Sequence, residues 1–387
     1  MEFIPYSCQN IGQDDIEAVC RVLTSDFVTQ GPCVPAFEDA FVTCHQSAHG
    51  IAVSSATAGL HIALLALGVG PGARVWTTPN SFVASANCVL YCGAEVDFVD
   101  IDPLTRNISV DALRVKLDQA KAGDLLPKVV VSVDFAGFPA ELREIRQLAD
   151  QYKFRILQDA SHATGASYLG RPVGSQFADA AVFSFHAVKI ITTGEGGMIV
   201  TNDESIASSV RLLRTHGITK DPAQMRQNSE GPWYYEQTSL GYNYRMTEFQ
   251  AALGFSQLKR LEQFKAQRKM LADRYDKLLA DLPVILPPRL PDRESAWHLY
   301  VLEIDEQRTR SKRAQVFNHL REQNIGVNVH YIPIHTQPFY RNLGFRCGDY
   351  PASERYYKRA ISIPLFPALT MAQQDRVVDV LRIALKA

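Results

Sequence analysis

The sequence has no run of basic residues, no unbroken apolar stretch long enough to span a bilayer and no paired cysteines, and each absence removes a class of protein. Its 387 residues carry 40 Lys and Arg against 41 Asp and Glu, for a formal net charge of −1. The basic patch that marks a nucleic-acid or membrane-surface binder is missing, so neither partner is expected. The least polar long stretch, residues 51–70, is interrupted by Ser54, Ser55, Thr57 and His61, so no membrane span is expected. The opening MEFIPYSCQN has neither the basic nor the apolar segment of a secretory signal. The seven cysteines are scattered and none lies in a CxxC pair, which speaks against a disulfide framework and a zinc site. Reduced thiols, no metal and a cytoplasmic location are the expectation. Also lacking is a GxGxxG between the first strand and its helix, the mark of a nicotinamide-binding unit.

What is present reads as an α/β protein. The chain is 46% hydrophobic and 21% charged, ordinary values for a globular fold. Its length favours a large domain and a smaller one sharing a cleft. β-Branched runs at 50–54, 74–78, 95–99, 128–134, 154–158, 180–184 and 197–201 predict strands, with amphipathic helices between several of them. Residues 14–24 place Ile16, Val19, Cys20 and Leu23 on one helical face, and a second helix is expected after Pro35. Residues 216–245 show no sustained period and are expected to form a long functional or mobile loop. A charged helix from Thr247 to about Leu279 then leads into a C-terminal part with the apolar run HLYVLEI, a helix near 311–323 and a last helix after Thr370. The expected division is a large domain of residues 1–255 and a small domain of residues 256–387.

The chemistry centres on VFSFHAVKIITTGEGGMIVTND, where Lys189 stands between a strand end and a glycine turn. Read alone it is an ordinary loop lysine. A desolvated lysine, however, can form a Schiff base with an aldehyde and afterwards carry a proton. Asp159, in FRILQDASHATGA, ends a strand, and ligands of open parallel sheets bind outside those ends. A carboxylate there can pair with the pyridinium of pyridoxal phosphate or merely cap the next turn, and His162 can line the same cofactor. In SSATAGLHIALLAL a small-residue turn, with Ala56 and Thr57 at its end, opens an apolar helix whose N-terminus suits a phosphate or is simply capped. Ser184 offers a further hydroxyl, and Phe82, after a Pro-Asn turn, is either a ring to stack on a flat cofactor or a core aromatic.

Through SFHAVK, ITTGEGG, VDFAG, GYNYR and VHYIPIH the chain resembles the DegT-type sugar-nucleotide aminotransferases over nearly its whole length. That resemblance implies a fold-type I pyridoxal-phosphate-dependent transferase, with a mostly parallel central sheet wrapped by helices and a smaller C-terminal α+β domain. It implies Lys189 as the lysine that holds pyridoxal 5'-phosphate and acts as acid and base, with Asp159 on the pyridinium. Ala56, Thr57 and Ser184 would contact the phosphate, and Asn243 would reach the cofactor site of a partner subunit. Substrate contacts are implied at Tyr6, at Asp26, Phe27, Val28 and Thr29, at Ser55, Ser184 and Asn243, and at Asn328, Val329, His330 and Tyr331. The implied partners are L-glutamate with 2-oxoglutarate as its product, a UDP-linked 4-keto-6-deoxy hexosamine, and a second copy of the chain in a homodimer with shared sites. Two departures stand out: Asp26 and Phe27 lie ahead of the family's threonine, and the 216–237 segment, with Trp233, Tyr234 and Tyr235, is longer than the family pattern. Lys189 itself separates the chain from dehydratase relatives that have histidine in that place.

Overall fold

The structure, a computed structural model, describes residues 2–123 and 125–386. Its centre is a seven-stranded sheet: β1 His49–Val53, β2 Arg74–Thr77, β3 Glu95–Phe98, β4 Val129–Val133, β5 Arg155–Asp159, β6 Ala180–Ser184 and β7 Gly197–Thr201, in the spatial order β1-β7-β6-β5-β4-β2-β3. All seven expected strands are there, within one residue at each end. Strands β6, β5, β4, β2 and β3 pair in parallel, and β7 runs antiparallel to both of its neighbours. Every residue of β4, β6 and β7 is buried, which is why these segments read as near-continuous apolar runs and not as alternation. Among the described residues no helix is long and apolar enough to cross a membrane.

The helices that position the site are α1 Gln13–Leu23, α2 Cys33–His45, α3 Ala56–Ala66, α4 Ala84–Tyr91, α5 Val110–Ala122, α6 Leu142–Tyr152 and α7 Glu204–Arg214. Helix α2 begins two residues before Pro35, not after it. Pro35 is tolerated in a first turn, where an N–H has no helical acceptor, and the free amides of Cys33 and Val34 are taken by the carboxylate of Glu248 at 2.6 and 3.4 Å.

The expected single helix from Thr247 to Leu279 is two: α8 Glu248–Leu258 and α9 Leu261–Leu278. The break at Lys259–Arg260 has a tertiary cause. Arg260 turns its guanidinium onto the buried carboxylate of Asp15 in α1 and onto Asn10, so α8 stays against α1 and α2 while α9 leaves in a new direction. Helix α9 delivers Leu271, Ala272 and Tyr275, with Leu279 just past its end, to a second apolar cluster, shared with the antiparallel strands β8 Val284–Ile285, β9 Tyr300–Ile304 and β10 Ala360–Ile363. Helices α10 Arg313–Glu322, Pro338–Asn342, Pro351–Arg359 and Met371–Ala384 complete this part, and Thr370 caps the last of them. The 216–245 stretch is mostly irregular. It closes on itself through a two-residue ladder between Ile218–Thr219 and Glu236–Gln237, leaving Trp233 70% and Tyr235 53% exposed.

Candidate active site

Strand β6 ends at Ser184, and the chain then turns so that Lys189 N–H donates to His186 O at 2.9 Å and Thr193 N–H to Phe185 O at 2.9 Å. From the N-terminal segment, Ser7 Oγ donates to Val188 O at 3.3 Å and steadies the same turn. The half-buried Lys189 points its amine at Nε2 of His298, 3.5 Å away. Burial lowers this lysine to about 8, against the opposing pull of the Asp159 carboxylate. A substantial fraction of the amine is therefore neutral near physiological pH, as a nucleophile must be.

Asp159 is the last residue of β5 and 5% exposed. Its carboxylate accepts from Ser85 Oγ at 2.6 Å and from the Ser161 amide at 3.2 Å, so its oxygens are aimed and not free to rotate. His162 accepts the Ala136 N–H on Nδ1 at 3.2 Å, which leaves the proton of the neutral ring on Nε2, 3.2 Å from the Tyr331 hydroxyl. The His162 ring lies 4.4 Å from that of His298. His330 Nδ1 meets Ser362 Oγ at 2.7 Å, and its carbonyl accepts the Tyr356 hydroxyl. Burial first, and then the charge of Lys189, hold His162 and His298 well below the usual histidine range and His330 down to about 3. Three neutral imidazoles thus lie within electrostatic reach of one amine, His298 in contact with it.

Helix α3 starts at Ala56, with Ser55 Oγ accepting the Ala58 amide at 3.1 Å. The amides of Ala56 and Thr57 have no carbonyl of their own helix to bind, the geometry that recruits anions. Gly197, at the start of β7, makes room for this end: a Cβ there would lie 2.8 Å from Ala56 N and 2.9 Å from Phe183 O. Ser184, on the strand beside it, is buried.

The remaining expected residues are spread more widely. Tyr6 lies beside the cluster, its ring 5.8 Å from that of His330, and burial raises its hydroxyl while Asn328 opposes the shift. Val329 N–H donates to Asn328 Oδ1 at 2.8 Å, leaving Asn328 exposed at the edge. Phe82 is 59% exposed, and its nearest ring partner is Tyr331 at 6.4 Å, so it is not a core aromatic. Asp26, Phe27, Val28 and Thr29 are exposed and held by the Glu248 N–H to Val28 O bond at the start of α8. Phe27 borders a groove of about 650 Å³ between α1, α2 and α8, and no residue around Lys189 lines that groove. Asn243 is exposed, in a stretch that lies along the end of β1 through the Ser54 N–H to Tyr244 O bond at 2.8 Å. Three residues beside the cluster were not singled out from sequence: Ser85, His298 and, behind His298, the buried Arg268. His298 heads the apolar run HLYVLEI and Ser85 sits in an ordinary helix sequence, so nothing local marks either of them.

An amine that can be nucleophile and proton carrier, facing a carboxylate fixed for a cationic partner, is what pyridoxal phosphate requires of a protein. The unfilled amides of α3 suit its phosphate, and the architecture is that of the fold-type I pyridoxal-phosphate transferases. The chain belongs to the DegT/DnrJ/EryC1/StrS aminotransferase family, whose sequence profile matches residues 9–382. It is similar to the spore coat polysaccharide biosynthesis protein SpsC of Bacillus subtilis, 40% identical over 98% of this chain and 96% of SpsC. Among solved structures it is similar to Helicobacter pylori PseC, an aminotransferase involved in the biosynthesis of pseudaminic acid. There the TM-score is 0.89 and the identity 31%, with 100% of both chains covered. It is also similar to Streptococcus pneumoniae Spr1654 in its PMP form, with TM-score 0.90 and 28% identity over 99% of each chain, a protein solved in its PLP form as well. The protein is a pyridoxal-phosphate-dependent sugar aminotransferase.

Proposed function

We propose that the chain moves the amino group of L-glutamate to C4 of a UDP-4-keto-6-deoxy-N-acetylhexosamine, the UDP-4-amino-4,6-dideoxy-N-acetyl-β-L-altrosamine transaminase reaction of pseudaminic acid biosynthesis. The observation that carries this reading is the end-to-end likeness to H. pylori PseC. In it Lys189 holds pyridoxal phosphate, Asp159 faces the pyridinium nitrogen, and Ala56, Thr57 and Ser184 hold the phosphate. When bound, the cofactor supplies an electron sink that makes the hydrogen on the amino-bearing carbon acidic.

The protein's own groups do the rest. The Lys189 amine, low in pKa and enclosed, takes the proton from the α-carbon of glutamate, and in the second half-reaction it delivers a proton to C4 of the sugar. Tyr331, whose oxygen accepts the Nε2 proton of His162, keeps its own hydroxyl hydrogen for the substrate side. Tyr6, Asn328 and His330 line the approach to the same amine. In this reading Asn243 and the exposed 26–29 segment act across a homodimer, Asn243 entering the cleft of the partner.

The 40% identity to SpsC, a spore coat polysaccharide biosynthesis protein, supports a second reading, a different nucleotide-linked keto-sugar; the alternatives to test are a UDP-4-keto-D-sugar and a dTDP-keto-sugar. A panel of UDP- and dTDP-4-keto sugars, with glutamate as donor and product stereochemistry determined, decides between the two. The proposed reading expects preference for the UDP-linked L-configured 4-keto sugar. Equal or faster turnover of a D-gluco or dTDP sugar would replace it with the second.

A further inference from the structure

We propose that His298 is a positioning residue for Lys189, a neutral imidazole that hydrogen-bonds the lysine amine in either of its protonation states. The inference deepens the proposed function and rests on its reading of Lys189 as the working amine.

The geometry of His298 differs from that of its two neighbours. The Nδ1 of His162 is occupied by the Ala136 amide and that of His330 by the Ser362 hydroxyl, so their tautomers are settled by those partners. The Nδ1 of His298 is buried with no hydrogen-bond partner among the described residues. Its Nε2 faces Lys189 Nζ at 3.5 Å. With nothing fixing the tautomer from behind, Nε2 accepts from a charged ammonium and, with the proton on Nε2 instead, donates to the free amine.

The ring itself has little room to move. His298 is 3% exposed, its N–H donates to Ala136 O at 3.1 Å, and its carbonyl takes a bond from Arg268 Nη1 at 3.3 Å. The charged and titratable groups around the pair come from several elements: Asp159 from β5, His162 from the loop after it, His330 and Tyr331 from the 328–331 segment, and Arg268 from α9. Among the described residues Asp159 is the carboxylate that acts on the amine, and Lys189 and Arg268 both oppose a charge on the ring of His298. The imidazole stays neutral and serves as a partner to the lysine, not as a second acid.

The test is made on the full-length protein freed of cofactor. Reductive methylation with formaldehyde and a borane, followed by peptide mass mapping, reports the free-amine fraction of Lys189 at each pH. Native protein is expected to reach half-maximal labelling at about pH 8. An acceptor stabilises the ammonium more than a donor stabilises the neutral amine. His298→Phe, which keeps the ring shape and removes the acceptor, should therefore lower the midpoint by about one unit. His298→Gln, which restores an acceptor, should bring it back toward the native value. An unchanged midpoint in His298→Phe overturns the proposal, as does an equal shift in the Phe and Gln variants, which would mean packing alone. If His298→Phe does not fold, His298→Met makes the same comparison with Gln. Borohydride reduction of the native protein loaded with pyridoxal phosphate separately identifies the lysine that holds it. A lysine other than Lys189 would sink the reading of the site and leave the titration to judge the His298 contact by itself.

Discussion

Ser85 Oγ lies 2.6 Å from Oδ2 of Asp159, and Ser81 Oγ lies 2.7 Å from Ser85 Oγ, so a relay of hydroxyls at the start of α4 fixes the carboxylate at the end of β5. A hydrogen bond to a charged group is worth roughly 1.5–3 kcal/mol. Ser85→Ala should loosen the carboxylate and weaken cofactor retention by about tenfold. Equilibrium dialysis against pyridoxal phosphate measures it, with Ser81→Ala expected to fall between native and Ser85→Ala. Equal retention in all three proteins would mean that the relay is structural only.

Lys189→Arg keeps the positive charge and removes the nucleophile, because guanidinium does not deprotonate in the working range. The native protein should show a visible absorbance with pyridoxal phosphate that changes on adding glutamate. The variant should lack the native band and lose turnover by about a thousandfold or more. Normal multiple turnover by Lys189→Arg would overturn the assignment of the working amine.

Much of this was legible in the sequence, for a physical reason in each case. Most of the seven strands stood out because strands buried on both faces are short, apolar and bounded by polar turns, while β3, exposed at Glu95, stood out by its Val96 and Phe98 alone. Asp159 was legible because it follows such a run directly, and Lys189 because of the glycine turn after it. The helix break at Lys259–Arg260 was not legible: lysine and arginine are good helix formers, and it is Asp15, from the other end of the chain, that turns Arg260 aside. His298 reads as the head of an apolar strand and Ser85 as an ordinary helix residue. Only the folded chain brings them to Lys189 and Asp159.

Acid sensitivity should have an identifiable contributor away from the site. His45 is fully buried, stacks 4.0 Å from the Phe41 ring and meets Phe41 O through Nδ1 at 3.1 Å, while burial lowers it from 6.5 to about 4. In the unfolded chain the ring takes up a proton as pH falls below 6.5, and in the folded chain it does not until about 4. Stability is therefore lost as pH falls through that window, by up to about 3 kcal/mol from this residue. Urea unfolding at pH 7 and pH 4.5 should show a smaller acid loss in His45→Phe than in the native protein. An identical loss in both would remove His45 from the account.

Arg268 is 1% exposed, and its Nη1 lies 3.1, 3.3 and 3.0 Å from the carbonyls of Trp297, His298 and Leu365. Its hydrogen bonds go to backbone carbonyls and not to a carboxylate, and burial alone pushes it down to about 10. Arg268→Met would leave three carbonyls short of a donor and should cost about 2–4 kcal/mol. Chemical denaturation measures that loss. The same variant should also loosen the segment that carries His298, which faster amide exchange at Trp297–Leu299 would register.

Gly197 joins stability to phosphate recognition. Its Cα sits where β7 passes under the start of α3, and an added Cβ would meet Ala56 N at 2.8 Å, Phe183 O at 2.9 Å and Ser55 C at 2.9 Å. All three are backbone atoms, so no side chain can swing aside. Relief requires the first turn of α3 to move off the sheet, and overpacking of this kind costs roughly 1–3 kcal/mol. Because that turn presents the amides of Ala56 and Thr57, Gly197→Ala should weaken pyridoxal phosphate far more than phosphate-free pyridoxal. The ratio of the two affinities is the measurement. A variant that loses both equally would mean that the cradle is elsewhere and that Gly197 serves only the packing of α3 on β7.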